Sequence, residues 1–276
     1  MIVHDSETDQ GIVRWREQGD ADARLTAFWH HGTPGIGAPP TPLLDASEEL
    51  GIRWLSFDRP GYGGSSPTDS WSIVDAAAVT QHVADVAGAG RFSVVGHSGG
   101  GPHALACAAL LGDRVSAAVS VSGLAPYDAA RLDWFAGMYD GGVAELRTAV
   151  TGADALRAFL EDLDDDPAMF TEADIEALEG TWSSFGGLAA AGVAEGLGGV
   201  VSDNLAYVNP WGFAVESVAV PTLLVHGTDD RIVPVSHSHW LEQHVPGVHL
   251  WERPGDGHIS VMGAGFDVLD WLIAHA

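Results

Sequence analysis

The 276-residue sequence contains no lysine: its 12 basic residues are all arginines, set against 38 acidic ones, for a formal net charge of −26. Schiff-base chemistry on a lysine amine is therefore excluded. A polyanionic surface also opposes nucleic acid and anionic membranes, whose binding needs clustered basic side chains. Cys107 stands alone, which rules out an intramolecular disulfide and a multi-cysteine zinc site. It falls in an apolar helical pattern and reads as a buried structural thiol. No apolar run approaches a membrane span. The acidic start Met1–Glu7 lacks the apolar core of a secretory signal, so the cytoplasm is the expected address. What remains is ordinary globular material, 46% apolar and 18% charged, long enough for one large domain or a domain with an insertion.

Short apolar runs alternate with helical patterns. Gly11–Arg16 alternates like a half-exposed strand near a sheet edge, whereas Leu25–His30 and Arg53–Phe57 read as buried strands and Val115–Val121 and Thr222–His226 as further strands. Val248–Trp251 is a further strand. Pro42–Leu50, Ser72–Ala87 and Asp267–His275 read as helices. Such alternation predicts a doubly wound, mostly parallel α/β sheet with helices on both faces. One block breaks the rhythm. Residues 125–209 carry helical patterns at Asp128–Tyr139, Val143–Val150, Ala153–Leu163 and Glu172–Gly180, the last opened by a capping-box relative, Thr171 with Asp174. The spacing leaves Phe185–Val201 unassigned and reads Glu161–Asp166 as a solvated, acidic helix end. The expected organisation is a core of residues 1–124 and 210–276 with a helical insertion at 125–209.

Arg91–Pro102 is the stretch on which function turns. A β-branched run stops at Gly96, and Gly96-His97-Ser98-Gly99-Gly100 then leads into an alanine-rich helix. This strand, sharp turn and helix fit G-x-S-x-G, a turn that strains the serine backbone and lifts its hydroxyl above the sheet. A serine hydroxyl is a poor nucleophile without a base, a group orienting that base and donors for an oxyanion. His258, between glycines after the Val248–Trp251 strand, is the candidate base. Asp229 and Asp230 compete for the acid after Thr222–His226; turn logic assigns Asp229 to its own backbone and leaves Asp230 for the histidine. The Gly99 N–H comes with the turn, and the Thr33 N–H in the loop after Leu25–His30 is the second candidate donor, since Pro34 has none. Of the remaining histidines, His97 should point away from the reaction and His103 should be a core residue. His237, His239 and His244 should lie on a solvated helix face without the spacing of a zinc site, so no metal is expected.

Together, His31-Gly32-Thr33-Pro34-Gly35, Asp58 to Ser65, Gly96 to Gly100, Gly227 to Pro234 and Gly257-His258 resemble the α/β-hydrolase superfamily, in its order of nucleophile, acid and histidine. The resemblance runs from about Leu25 to the C-terminus, with the helical block where that family carries its cap. It implies Asp230 as the acid and a serine hydrolase needing no cofactor, acting on a small-molecule substrate as a monomer or homodimer. A small, largely apolar ester or lactone is the expected substrate class. Trp134, Phe135, Met138, Tyr139 and Trp182 are candidate substrate-lining residues of the cap. An aminopeptidase or amidase, a carbon–carbon bond hydrolase and a ligand-binding relative are the alternatives on the same triad. Ser98 departs from the elbow aspartate of epoxide hydrolases and haloalkane dehalogenases, which argues against both.

Overall fold

Aliphatic and aromatic runs of six or seven residues are too short for helices and too apolar for loops, and they assemble the centre of the molecule. The computed structural model describes residues 1–68, 70–163 and 166–276. The chain opens with an antiparallel hairpin of β1 (Ile2–Thr8) and β2 (Gly11–Gln18). Then follow β3 (Leu25–His30), β4 (Ile52–Phe57), β5 (Phe92–His97), β6 (Val115–Val121), β7 (Thr222–Gly227) and β8 (His249–Arg253). They form an 8-stranded sheet in the order β1-β2-β4-β3-β5-β6-β7-β8. From β4 to β8 every pairing is parallel; only the β1–β2 and β2–β4 pairings are antiparallel. β1 has no counterpart among the strands expected from the sequence, because its largely exposed, polar stretch carries no buried face.

The connecting helices are α1 (Leu44–Glu49), α2 (Asp75–Val86) and α3 (Gly100–Leu110) before β6. Between β6 and β7 come α4 (Asp140–Thr151), α5 (Ala153–Glu161), α6 (Glu172–Glu179), α7 (Ser184–Val193) and α8 (Gly198–Val208). Finally α9 (Ser236–His244) follows β7 and α10 (Gly265–His275) follows β8. Side chains alternate across the sheet with the period of two that strands impose. Phe28, Leu55, Val94, Ala118 and Leu224 meet α2, α3 and α9 on one face. Trp29, Trp54, Val95, Val119 and Val225 meet α1 and α10 on the other. Among the described residues no single helix is long and apolar enough to cross a membrane.

The segment between β6 and β7 differs from expectation in two places. Asp128–Tyr139 forms turns rather than a helix. Positive φ at Arg131 (68°) and Gly137 (91°) breaks the helical path, and the Trp134 indole N–H is drawn to the Ala125 carbonyl at 2.9 Å. The unassigned Gly/Ala-rich stretch supplies α7 and the start of α8. In the acidic run Glu161 and Asp162 are exposed, while residues 164 and 165 lie outside the described residues. Both sides of the capping box at Thr171 and Asp174 are formed.

Candidate active site

Ser98 sits where β5 turns into α3, with φ at +55°, the left-handed region a residue with a Cβ rarely adopts. Its flanking glycines make the turn possible. A Cβ on Gly96 would run into the Gly100 carbonyl, and one on Gly100 into the His30 carbonyl. Backbone bonds lock the strained residue from both sides: Ser98 N–H donates to Val121 O (2.8 Å), and Gly101 N–H donates to Ser98 O (2.9 Å). The Ser98 side chain is therefore fixed at the carboxyl end of the central strand. Its hydroxyl makes no hydrogen bond among the described residues.

The histidine and the acid arrive on the loops after β8 and β7. His258 Nδ1 lies 2.8 Å from Asp230 Oδ2. A carboxylate only accepts, so Nδ1 carries the proton and Nε2 is left as a base. Asp230 Oδ1 accepts from the Ile232 and Val233 N–H groups, both at 2.9 Å. His226 Nε2, which donates to Val233 O (2.7 Å), stands 3.4 Å from Asp230 Oδ2. Burial would raise the Asp230 carboxyl, but the adjoining His258 and His226 hold it well below the usual carboxylate range. Asp229, the competing acid, instead accepts from the Thr228 hydroxyl at 2.9 Å and has its own N–H on Asp256 O.

Thr33 and Gly99 come together beside Ser98. A Cβ on Gly99 would stand 2.9 Å from Thr33 Oγ1, and one on Gly32 would stand 3.4 Å from Ser98 Cβ. Neither the Thr33 nor the Gly99 N–H donates a hydrogen bond among the described residues, which leaves both for an incoming oxygen. A buried network holds this loop. Arg59 donates to His31 O (2.6 Å), Gly32 O (3.1 Å) and Thr33 Oγ1 (3.1 Å), and pairs with Asp203 of α8 through Nε (2.8 Å) and Nη2 (2.6 Å). The Tyr62 hydroxyl (2.8 Å) and the Thr33 hydroxyl (2.5 Å) also donate to Asp203. Since the Thr33 proton is committed there, the Tyr207 hydroxyl donates to Thr33 Oγ1 at 2.6 Å. Sequence reasoning missed Asp203 and Tyr207. The one available signal was a polar run, Ser202-Asp203-Asn204, inside the apolar helix Gly198–Val208.

Two histidine expectations are overturned. His97 does not point away from the site: its ring centroid is 5.0 Å from that of His258, and its Nε2 donates to the His258 carbonyl at 3.0 Å. Burial, with His258 alongside, lowers its pKa to about 3, so it stays neutral. His237 is not on a solvated face. It is fully buried, with Nδ1 accepting from Ala125 N–H (3.0 Å) and Nε2 donating to Trp134 O (2.9 Å). α9 is pressed onto the chain leaving β6, so its first turn faces inward. His239, by contrast, is exposed and pairs with Glu252. His103 is buried with Nδ1 on Gly99 O (2.8 Å), but its Nε2 has no partner among the described residues. Cys107 is buried and its thiol is pushed up to about 12 by burial, which suits an inert side chain.

The candidate lining residues fall into two groups. Trp134 and Met138 are buried in the cluster on the α3 face, with half-buried Phe135 edge-on to Trp134 at 5.1 Å and Arg147 over the Phe135 ring. Tyr139, half-buried, lies on Gly141 and Gly142, donates its N–H to Arg231 O and has its hydroxyl raised to about 12 by burial. Trp182 lies in the other cluster, 6.0 Å from Phe185, whose ring meets His97 at 5.3 Å. The described residues hold no group of three or more His, Cys, Asp or Glu side chains disposed to take a metal ion.

A parallel sheet with a strained serine at its central strand end, and a histidine–carboxylate pair on the next loops, defines the class of α/β folds built around a nucleophile elbow. The sequence matches the α/β-hydrolase fold family over residues 28–264, and the chain belongs to that family. Among solved structures it resembles the enol-lactonase from Burkholderia xenovorans LB400, with a TM-score of 0.73, 18% identity and 99% of each chain covered. A thermophilic esterase from Thermogutta terrifontis superposes with a TM-score of 0.72 at 19% identity over 100% of both chains. An esterase from Exiguobacterium antarcticum gives 0.70 at 17% identity, over 99% of this chain and 98% of the other. At such identities the likeness is one of fold. No curated protein matches the sequence.

Proposed function

We propose that the chain is a serine hydrolase that cleaves a small, largely apolar ester or lactone through an acyl-enzyme on Ser98. The observation that carries this reading is a histidine whose Nδ1 is tied to a buried carboxylate at 2.8 Å, on a loop at the same end of the sheet as a strained elbow serine. Ser98 Oγ attacks the acyl carbon while His258 Nε2 takes its proton, and Asp230 holds the tautomer and stabilises the imidazolium. The Thr33 and Gly99 N–H groups receive the oxyanion. His258 then protonates the leaving oxygen, and a water deprotonated by the same nitrogen releases the acid. The open Ser98 hydroxyl is compatible with this role, because catalytic hydrogen bonds are commonly loose before substrate binds. The substrate class draws support from the apolar side chains around the segment between β6 and β7. It also draws on the lactonase and esterase activities named for structures of the same fold. Every proton and charge in the scheme is handled by side chains and backbone, so it calls for no cofactor.

Ser98→Ala should lower kcat/KM on p-nitrophenyl esters by roughly four to six orders of magnitude. Labelling of the parent enzyme by a fluorophosphonate at Ser98, lost in that variant, is the companion result. Retained esterase turnover in the variant would sink the mechanism.

A further inference from the structure

Asp174 begins as a helix-capping residue and ends as something else. Its carboxylate is wholly buried, yet no arginine or histidine pairs with it among the described residues. Instead it accepts five hydrogen bonds. Oδ2 takes the Thr171 N–H (3.1 Å) that completes the α6 capping box, and also the His258 N–H at 3.2 Å. Oδ1 takes the Ile259 and Ser260 N–H groups, both at 2.8 Å, and the Ser260 hydroxyl at 3.0 Å. Capping α6 requires only the first of these. The other four come from the histidine loop, 84 to 86 residues further along the chain. Burial alone would raise this carboxyl, but the converging N–H groups of Ser260, Thr171 and Ile259 hold it below its ordinary value.

The contact also explains Gly257. A Cβ there would run into the Asp174 carboxylate, so the residue preceding His258 has to lack one. Three consecutive N–H groups aimed at one anion fix the backbone at His258, Ile259 and Ser260, and with it the direction of the His258 Cα–Cβ bond. On the other side of the same residue, His97 donates to the His258 carbonyl. The ring reaches Asp230 from a backbone held at both its N–H and its carbonyl.

We propose that Asp174 is a positioning residue for His258, so that α6 forms part of the mounting of the base through four hydrogen bonds that one carboxylate accepts from the histidine loop. The proposal rests on the reading of Ser98 as nucleophile and His258 as its base. It places in the segment between β6 and β7 a residue that acts on the reaction without touching substrate. A misplacement of the base by a fraction of an ångström suffices to slow proton transfer, while ground-state binding of an apolar ester is left alone.

The test compares Asp174→Asn, Thr171→Ala and Ser260→Ala in the full-length protein. Asp174→Asn keeps the volume but turns an amide donor onto backbone donors; kcat for a p-nitrophenyl ester should fall about 10- to 100-fold with KM little changed. The downfield proton resonance of the His258 Nδ1–H to Asp230 bond should shift or broaden. Thr171→Ala removes the other half of the capping box and should lower the melting temperature while leaving kcat within about twofold. Equal loss of kcat in Thr171→Ala and Asp174→Asn would reduce Asp174 to a helix cap and overturn the proposal, as would an unchanged kcat and resonance in Asp174→Asn. If Asp174→Asn does not fold, Ser260→Ala decides from the loop side, where a several-fold loss of kcat is expected and none would overturn it. Ser98→Ala keeps the two readings apart. Should it retain turnover, the assignment of Ser98 fails, and the His258 resonance alone then decides whether Asp174 positions the ring.

Discussion

Two carboxylates of the segment between β6 and β7 reach down onto two loops of the sheet, and they do so by opposite means. Asp203 meets the loop of Thr33 through a buried guanidinium, Arg59, which itself grips the His31 and Gly32 carbonyls. Asp174 meets the loop of His258 with no cation, only N–H groups and one hydroxyl. The difference follows from what each loop presents. The first loop offers one hydroxyl, Thr33, which Asp203 takes directly, and two carbonyl oxygens, which a carboxylate cannot bind, so a cation stands between these and Asp203. The second offers N–H groups, which it binds directly. A buried ion pair leaves an uncompensated charge when one partner is removed, whereas a carboxylate held by backbone dipoles leaves only unpaired donors. The Thr33 side should therefore be the more important for stability, and the His258 side for rate.

Acid is the treatment expected to erase that contrast, and it has the largest effect. His31 on one side and His97 on the other are both buried and held neutral: burial, with Arg59 nearby, lowers His31 well below 6.5, and burial lowers His97 to about 3. Burial likewise lowers His30 and His103 well below 6.5 and His237 to about 4. The unfolded chain takes up protons at these sites below about 6.5, while the folded chain does not. Their contribution is fully present above that pH and falls as pH drops, by up to about 1.4 kcal/mol per pH unit for each histidine. Melting temperature should decline steeply from pH 6.5 towards 4. Asp174 and Asp230, whose carboxyls are lowered, add their own loss only below the ordinary carboxylate range of about 4. A melting temperature flat between pH 7 and 5 would contradict the buried, neutral state of these rings.

At neutral pH the contrast can be measured directly. Arg59→Met strands Asp203 and releases two carbonyls, and should cost about 3–5 kcal/mol of stability in denaturant titration. Asp174→Asn should cost about 1–3 kcal/mol, the scale of unpaired buried donors. If the second loss equals or exceeds the first, the cation does not make the Thr33 side the stiffer of the two.

Much of this site is legible in the sequence because its parts are local. A glycine-flanked serine after a β-branched run, a histidine between glycines and an aspartate in a turn each announce a loop at a strand end. The partners that hold those loops are not local. Asp203 lies 144 residues from Arg59, and Asp174 lies 84 from His258. A capping box accounts so completely for Asp174 that nothing was left to suggest a second role. His97 fills the position between Gly96 and Ser98 that the motif leaves free, so its packing on His258 had no signature. His237 shows the same limit from another side. Three histidines on one short helix look solvated until the turn at Trp134 is seen to press against the first of them. The helical spacing of Asp128–Tyr139 failed for a local reason instead, since Arg131 and Gly137 take up φ values that end a helix wherever its apolar positions fall.

The smallest expected effect concerns Tyr207, where the comparison can be made finest. Its hydroxyl donates to Thr33 Oγ1 and lies against the Gly99 Cα, so it touches both residues whose N–H groups face the candidate oxyanion. Thr33 Oγ1 has a second donor in Arg59 at 3.1 Å and keeps its own bond to Asp203. Tyr207→Phe thus removes one hydrogen bond from a loop that remains tied by several others, and should cost about 1 kcal/mol of stability. The Thr33 N–H should stay in place, with kcat lowered less than about tenfold. A loss of about 100-fold or more at unchanged stability would be the magnitude of a deleted oxyanion donor. It would move Tyr207 from the scaffold of the loop to direct contact with the reacting oxygen.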